Sequence, residues 1–127
     1  MKKELKTEKA PAAIGPYSQA TMNAAGLIFV SGQLPIDPAT GAFAGEDIVS
    51  QTRQSLENIR NILASEGLTM DHVLKTTVLL QDISDFGAMN QVYATFFEGV
   101  CPARAAFQVA ALPKGALVEI EAIASKE

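Results

Sequence analysis

The stretch Val73-Leu74-Lys75-Thr76-Thr77-Val78-Leu79-Leu80 decides the fold. It is rich in β-branched residues, ends at Gln81-Asp82 and is apolar on both parities, which predicts a largely buried strand. Upstream of it, Ile48, Thr52, Leu56, Ile59, Ile62 and Leu63 fall at three- and four-residue steps. With Gly67 as a stop, they predict a first helix. Downstream, Ser84 or Asp85 can cap a second helix whose apolar stripe is Phe86, Met89, Val92, Tyr93, Phe96 and Phe97, ending near Gly99. The two helices read as equivalent in length and amphipathicity. Each has one apolar stripe, so both belong on the same face of a sheet that contains the 73–80 strand.

Further out, Tyr17–Met22 and Leu27–Ser31, the latter closed by Gly32, flank the turn signal Asn23-Ala24-Ala25-Gly26 and predict a hairpin. Pro35–Gly45, with two prolines and the run Asp37-Pro38-Ala39-Thr40-Gly41, reads as a surface loop. Pro102 opens a strand that runs through Val109, Leu112–Gly115 turns the chain, and Leu117–Ala124 alternates as the last strand. The order β-β-α-β-α-β-β has no linker and no low-complexity tract. It predicts one α+β domain over residues 1–127, a mixed sheet with two helices on one face. Lys2, Lys3, Lys6 and Lys9, interleaved with Glu4 and Glu8, read as a solvated end strand or a fraying terminus. The helix-free sheet face would expose more apolar area than a monomer normally shows, so a closed homo-oligomer is expected.

Composition narrows the function. The 127 residues are 48% hydrophobic and 6% aromatic, with no Trp, which gives an aliphatic core. A formal net charge of -4 offers nucleic acid no general attraction. With Cys101 as the only cysteine, the chain cannot form an internal disulfide or a cysteine-based zinc cage, and His72 alone cannot supply a two-histidine metal site. No apolar run approaches the roughly 20 residues needed to span a bilayer. Ala10–Gly15 lacks the apolar core of a signal peptide, so a soluble cytoplasmic protein is expected.

Few side chains are candidates for chemistry. Glu119 and Glu121 share one face of the last strand, roughly 6.6 Å apart along it. They read either as a solvated or ion-paired face or as a source of one general base. Arg104 projects on the same parity as Ala106 and Gln108, opposite Ala105, Phe107 and Val109. It suits a bidentate grip on a carboxylate and equally suits a salt bridge to Glu119 or Glu121. Tyr17 follows the Gly15-Pro16 turn at a strand entrance. Ser31-Gly32-Gln33 could present backbone N–H groups to an anion, although no phosphate-binding or dinucleotide fingerprint occurs. Asn90 sits at the edge of the second helix's stripe, and Cys101, without a basic neighbour, reads as inert.

Four blocks together carry a resemblance: Ala10 to Gln19 (APAAIGPYSQ), Phe29 to Pro35 (FVSGQLP), Lys75-Thr76-Thr77-Val78, and Pro102-Ala103-Arg104 followed by Val118-Glu119-Ile120-Glu121-Ala122. The chain resembles the Rid family, also called YjgF or reactive intermediate deaminase, from about residue 8 to residue 124. The resemblance implies a chorismate-mutase-like fold assembled as a homotrimeric barrel with a ligand cleft at each subunit interface. It also implies hydrolysis of 2-imino acids and their enamine tautomers to 2-oxo acids and ammonia, with neither metal nor organic cofactor. Such imines arise from pyridoxal-phosphate-dependent threonine and serine dehydratases.

On this reading Arg104 holds the substrate carboxylate and Glu119 activates water, assisted by a backbone carbonyl near Ala106. Tyr17 reaches in from a neighbouring subunit, and Ser31, Gly32 and Asn90 line the cleft. The chain departs from many imine-hydrolysing members in having Ala106 where they have a cysteine, and Ala105 where a serine is common. Two other functions compete: a non-catalytic sensor of small 2-oxo or carboxylic acids, and a translation-inhibiting ribonuclease, which the acidic balance disfavours.

Overall fold

In the computed structural model, which describes residues 1–127, the strand at Val73–Leu80 lies one place in from an edge of a six-stranded sheet. The elements are β1 (Lys3–Leu5), β2 (Ala20–Met22), β3 (Leu27–Gln33), α1 (Ile48–Ala64), β4 (Val73–Leu80), α2 (Phe86–Ala94), β5 (Ala103–Gln108) and β6 (Val118–Ser125). The sheet order is β1-β2-β3-β6-β4-β5. Only β4 and β5 run parallel, joined through α2, and the other neighbours are antiparallel.

Both helices pack against the same core, as the stripes predict. In α1, the Asp47 carboxylate accepts from the Ser50 amide at 2.8 Å and caps the first turn. Leu56, Ile59, Ile62 and Leu63 of α1 are fully buried, facing Ile28, Val78, Val118 and Ile120 of the sheet within one 23-residue core cluster. The helices are not equivalent in length, since α1 has 17 residues and α2 only 9. The apolar spacing continues through Phe96 and Phe97, but the helix does not. Thr95 donates its hydroxyl to the Val92 carbonyl at 2.6 Å, and the Thr95 and Phe96 amides bond three residues back, tightening the end of the helix. Phe97 remains buried outside the helix, its ring centroid 4.8 Å from that of Tyr93.

One other expectation changes and one open reading is decided. The hairpin forms around Asn23, whose side chain accepts from the Ala25 and Leu27 amides, but β3 runs on through Gly32 to Gln33 with a register shift after Val30. Of the two readings of the lysine-bearing N-terminus, the structure shows the end strand and not the fraying terminus, because Lys3–Leu5 pairs with Ala20–Met22 at the sheet edge and Leu5 is buried. Beside it, Glu66 just beyond α1 binds Lys3 Nζ at 3.0 Å and Lys126 Nζ at 3.4 Å. Finally, residues 7–11 are tied to the start of β2 by Gln19. Its buried amide donates to the carbonyls of Thr7, Ala10 and Pro11 and accepts from the Thr7 amide.

The second sheet face has no helix on it. Strand pairing places Thr21, Phe29 and Ile123 in one row across it, Glu119, Leu79 and Phe107 in another, and Glu121, Thr77 and Ala105 in a third. Phe29 is 48% and Phe107 46% exposed there. No helix is long and apolar enough to cross a membrane.

Candidate functional site

Paired residues point to the same side of a sheet, so register assigns each candidate to a face. Arg104 pairs with Thr76, which pairs with the buried Ala122, and this row faces the helices. The guanidinium lies 5.3 Å from the Phe86 ring centroid and 4.8 Å from that of Tyr93, and Nη1 donates to Asn90 Oδ1 at 2.7 Å. Phe86, Asn90 and Tyr93 follow at steps of four and three residues and so share one face of α2. Arg104 forms no salt bridge, which rules out within this chain the expected alternative of an ion pair with Glu119 or Glu121. Arg104 is exposed on an edge strand, and Asn90 is the one hydrogen-bond partner of its guanidinium.

Glu119 lies on the other, helix-free face, beside Leu79. Burial, with a smaller contribution from the Glu121 charge, holds its carboxyl above the ordinary glutamate value. Gly32 provides the room for it. A Cβ on residue 32 would overlap Glu119 Oε2 and fall 3.0 Å from its Cδ. Arg104 and Glu119 therefore belong to opposite faces of one sheet, and the chain alone does not bring the two together.

Ser31 and Tyr17 lie in the region of Gly32. Ser31 uses its hydroxyl to donate to the Ser18 carbonyl at 2.6 Å, and its amide donates to the Gln19 carbonyl, fixing the segment after Tyr17. Tyr17 is half-exposed and, with Gly32, Lys6 and Lys114, lines a cavity of about 1020 Å³ between the N-terminal segment and the loop after β3. Ser31 and Glu121 line a smaller concavity of about 310 Å³. Ala106 stands on β5 opposite Val78, partly buried against the core. Cys101 is a free, exposed cysteine. His72 is committed to structure, its ring closing a capping box with Thr69.

Phe86, Tyr93 and Thr76 belong to the surroundings of Arg104 but read in the sequence only as core. The available signal was an amide, Asn90, set between two aromatics at helical spacing.

A model of the family described as Endoribonuclease L-PSP matches residues 7–126. The chain belongs to this family, also known as YjgF or Rid. The 2-iminobutanoate/2-iminopropanoate deaminase of Mus musculus is 51% identical over 124 residues, 98% of this chain and 91% of that protein. A Rid family protein of unknown function from Yersinia pestis superposes with a TM-score of 0.95 at 48% identity, covering 98% of this chain and 99% of that one. Escherichia coli TdcF, solved with bound serine, gives a TM-score of 0.93 at 41% identity over 98% and 99% of the two chains. The two helices packed on a mixed six-stranded sheet are thus the Rid fold, as the resemblance implied.

Proposed function

We propose that this Rid protein hydrolyses 2-imino acids such as 2-iminobutanoate and 2-iminopropanoate, and their enamine tautomers, to 2-oxo acids and ammonia. The observation that carries this is Arg104, a guanidinium oriented by an amide and two rings, with open donors and no acid of its own chain to neutralise it. Such a group suits a substrate carboxylate held at two points. The deaminase names of mammalian relatives at about 51% identity and the serine bound by TdcF are consistent with that ligand class.

The reaction asks little more of the protein. Once the carboxylate is fixed, the adjacent C=N carbon is an electrophile, and an enamine first takes a proton at its β-carbon to become the imine. Glu119 takes a proton from a water whose oxygen adds to that carbon, giving a carbinolamine. The proton held by Glu119 passes to the carbinolamine nitrogen, and ammonia leaves as the C–N bond breaks and the C=O forms, the hydroxyl proton returning to the Glu119 carboxylate. Glu119, with its pKa raised by burial, is suited to these transfers. A backbone carbonyl near Ala106 helps hold the water, so the residue needs no thiol.

Because Arg104 and Glu119 occupy opposite faces, the complete site requires a second copy. We assign it to interface clefts of a homotrimer, where the apolar helix-free face is covered. Tyr17 enters from the neighbouring subunit, and Ser31, Gly32 and Asn90 shape the cleft. The setting we propose is the cytoplasm, beside pyridoxal-phosphate-dependent threonine or serine dehydratases.

The test generates 2-iminobutanoate in situ with threonine dehydratase, in competition with semicarbazide. Wild type should accelerate imine loss, Arg104→Ala should abolish the acceleration, and Glu119→Gln should lower it by about 10²–10⁴-fold. No acceleration by folded oligomeric wild type would overturn the proposal and favour a carboxylate sensor, which needs Arg104 but tolerates Glu119→Gln.

A further inference from the structure

We infer that Tyr93, latched by Thr76 and assisted by Phe86, is a positioning residue that sets the plane of the Arg104 guanidinium for two-point carboxylate binding. The inference rests on the proposed role of Arg104 as the carboxylate anchor. An exposed arginine on an edge strand has many rotamers, and fixing one of them during binding weakens affinity. Here the search is restricted before any ligand arrives. The guanidinium carbon is 4.8 Å from the Tyr93 centroid and 5.3 Å from that of Phe86, and Asn90 engages Nη1. Two ring faces and one amide acceptor limit both its position and its rotation.

The latch distinguishes Tyr93 from an ordinary core aromatic. Its hydroxyl lies 2.6 Å from Thr76 Oγ1, a buried hydrogen bond between α2 and β4. Thr76 is also the residue paired directly with Arg104 in the β4–β5 register. The ring on which Arg104 rests is thereby tied to the backbone position beside Arg104. Tyr93–Phe97 packing supports the ring from its other neighbour. A phenylalanine at 93 would retain the ring and lose the latch, whereas a leucine would lose both.

The test compares Tyr93→Phe, Tyr93→Leu and Phe86→Leu, alone and combined with Arg104→Lys. Three quantities are read: KM and kcat in the imine assay, calorimetric binding of 2-oxobutanoate, and the NMR order parameter of the Arg104 Nε–H bond. Losing one ring should raise KM and weaken 2-oxobutanoate binding by roughly 2- to 30-fold, the range of a cation–π contact, with a smaller change in kcat. Tyr93→Phe should show only part of that loss. With Lys at 104 the ring substitutions should add little, and the order parameter should fall in Tyr93→Leu and Phe86→Leu. Losses of equal size in the Arg104→Lys background, or an unmoved order parameter, would overturn the inference. Should Tyr93→Leu not fold, Phe86→Leu, at a partly buried position, decides it. If wild type binds no imine or 2-oxo acid while the order parameter still drops, the functional reading fails and the ring-set orientation of Arg104 stands.

Discussion

Replacing Gly32 by alanine tests whether the Glu119 carboxylate occupies the space the structure assigns to it. The backbone at Gly32 is not in the positive-φ region, so alanine introduces no main-chain strain and acts only through its methyl group. That methyl would overlap Oε2 and sit 3.0 Å from Cδ and 3.3 Å from Cγ of Glu119. All three are atoms of one flexible side chain, so the carboxylate can swing aside. The expected loss of stability is therefore about 1 kcal/mol, a displaced rotamer at the low end of overpacking costs. In a chain of this size it lowers Tm by roughly 3–5 °C. The catalytic effect should be larger than the structural one, because a displaced carboxylate no longer holds the attacking water, and kcat should fall at least about tenfold. Urea unfolding and the imine-competition assay measure the two effects. Adding Glu119→Asp, one methylene shorter, should recover the lost stability without restoring the rate. Unchanged stability and unchanged kcat in Gly32→Ala would refute the reasoning.

Three further outcomes follow from described features. Burial raises the folded pKa of Glu119 above its ordinary value, so the native state holds the extra proton between the two values and wild-type stability falls as pH rises through that window. Glu119→Gln should thus melt higher than wild type at neutral pH and lose that advantage in acid, and wild-type activity should rise as pH passes the raised value; melting curves from pH 4 to 8 check this. Gln19→Leu leaves the carbonyls of Thr7, Ala10 and Pro11 and the Thr7 amide without their partner, and should cost about 1–3 kcal/mol while accelerating hydrogen exchange over residues 7–11. Ile59→Ala, at a fully buried position of α1, should destabilise by about 2–5 kcal/mol in urea titrations.

What the sequence made legible were elements with long, strongly periodic patterns. The spans of α1 and β4 follow their side chains closely because a buried stripe and a glycine stop mark the helix, and a β-branched run ending at Gln81-Asp82 marks the strand. The end of α2 was hidden, since Phe96 and Phe97 keep the helical spacing while the Thr95 hydroxyl competes for the backbone. The first strand was legible only as one of two readings, because it is three residues long with one buried side chain and is held by its pairing with β2. At the site, individual residues were visible and their relationship was not. Parity within β5 or β6 places side chains on alternate faces, but which faces coincide depends on the register both strands share with β4. Register is a long-range property that neither strand encodes alone. Arg104 and Glu119, open to ion pairing on the sequence, fall on opposite sides for this reason.

The paired ion contacts of Glu66 with Lys3 and Lys126 bring the two ends of the chain to one carboxylate. The protein is thus nearly a closed loop, and a linker of a few residues could join Glu127 to Met1 without crossing the sheet. New ends could then be opened in the exposed Thr40–Gly41 turn, on the far side of the hairpin from the old ones. A circular permutant cut there would keep every pairing among β1–β6 and open only the turn that closes the Ile36–Phe43 bridge, leaving both former termini inside a continuous backbone.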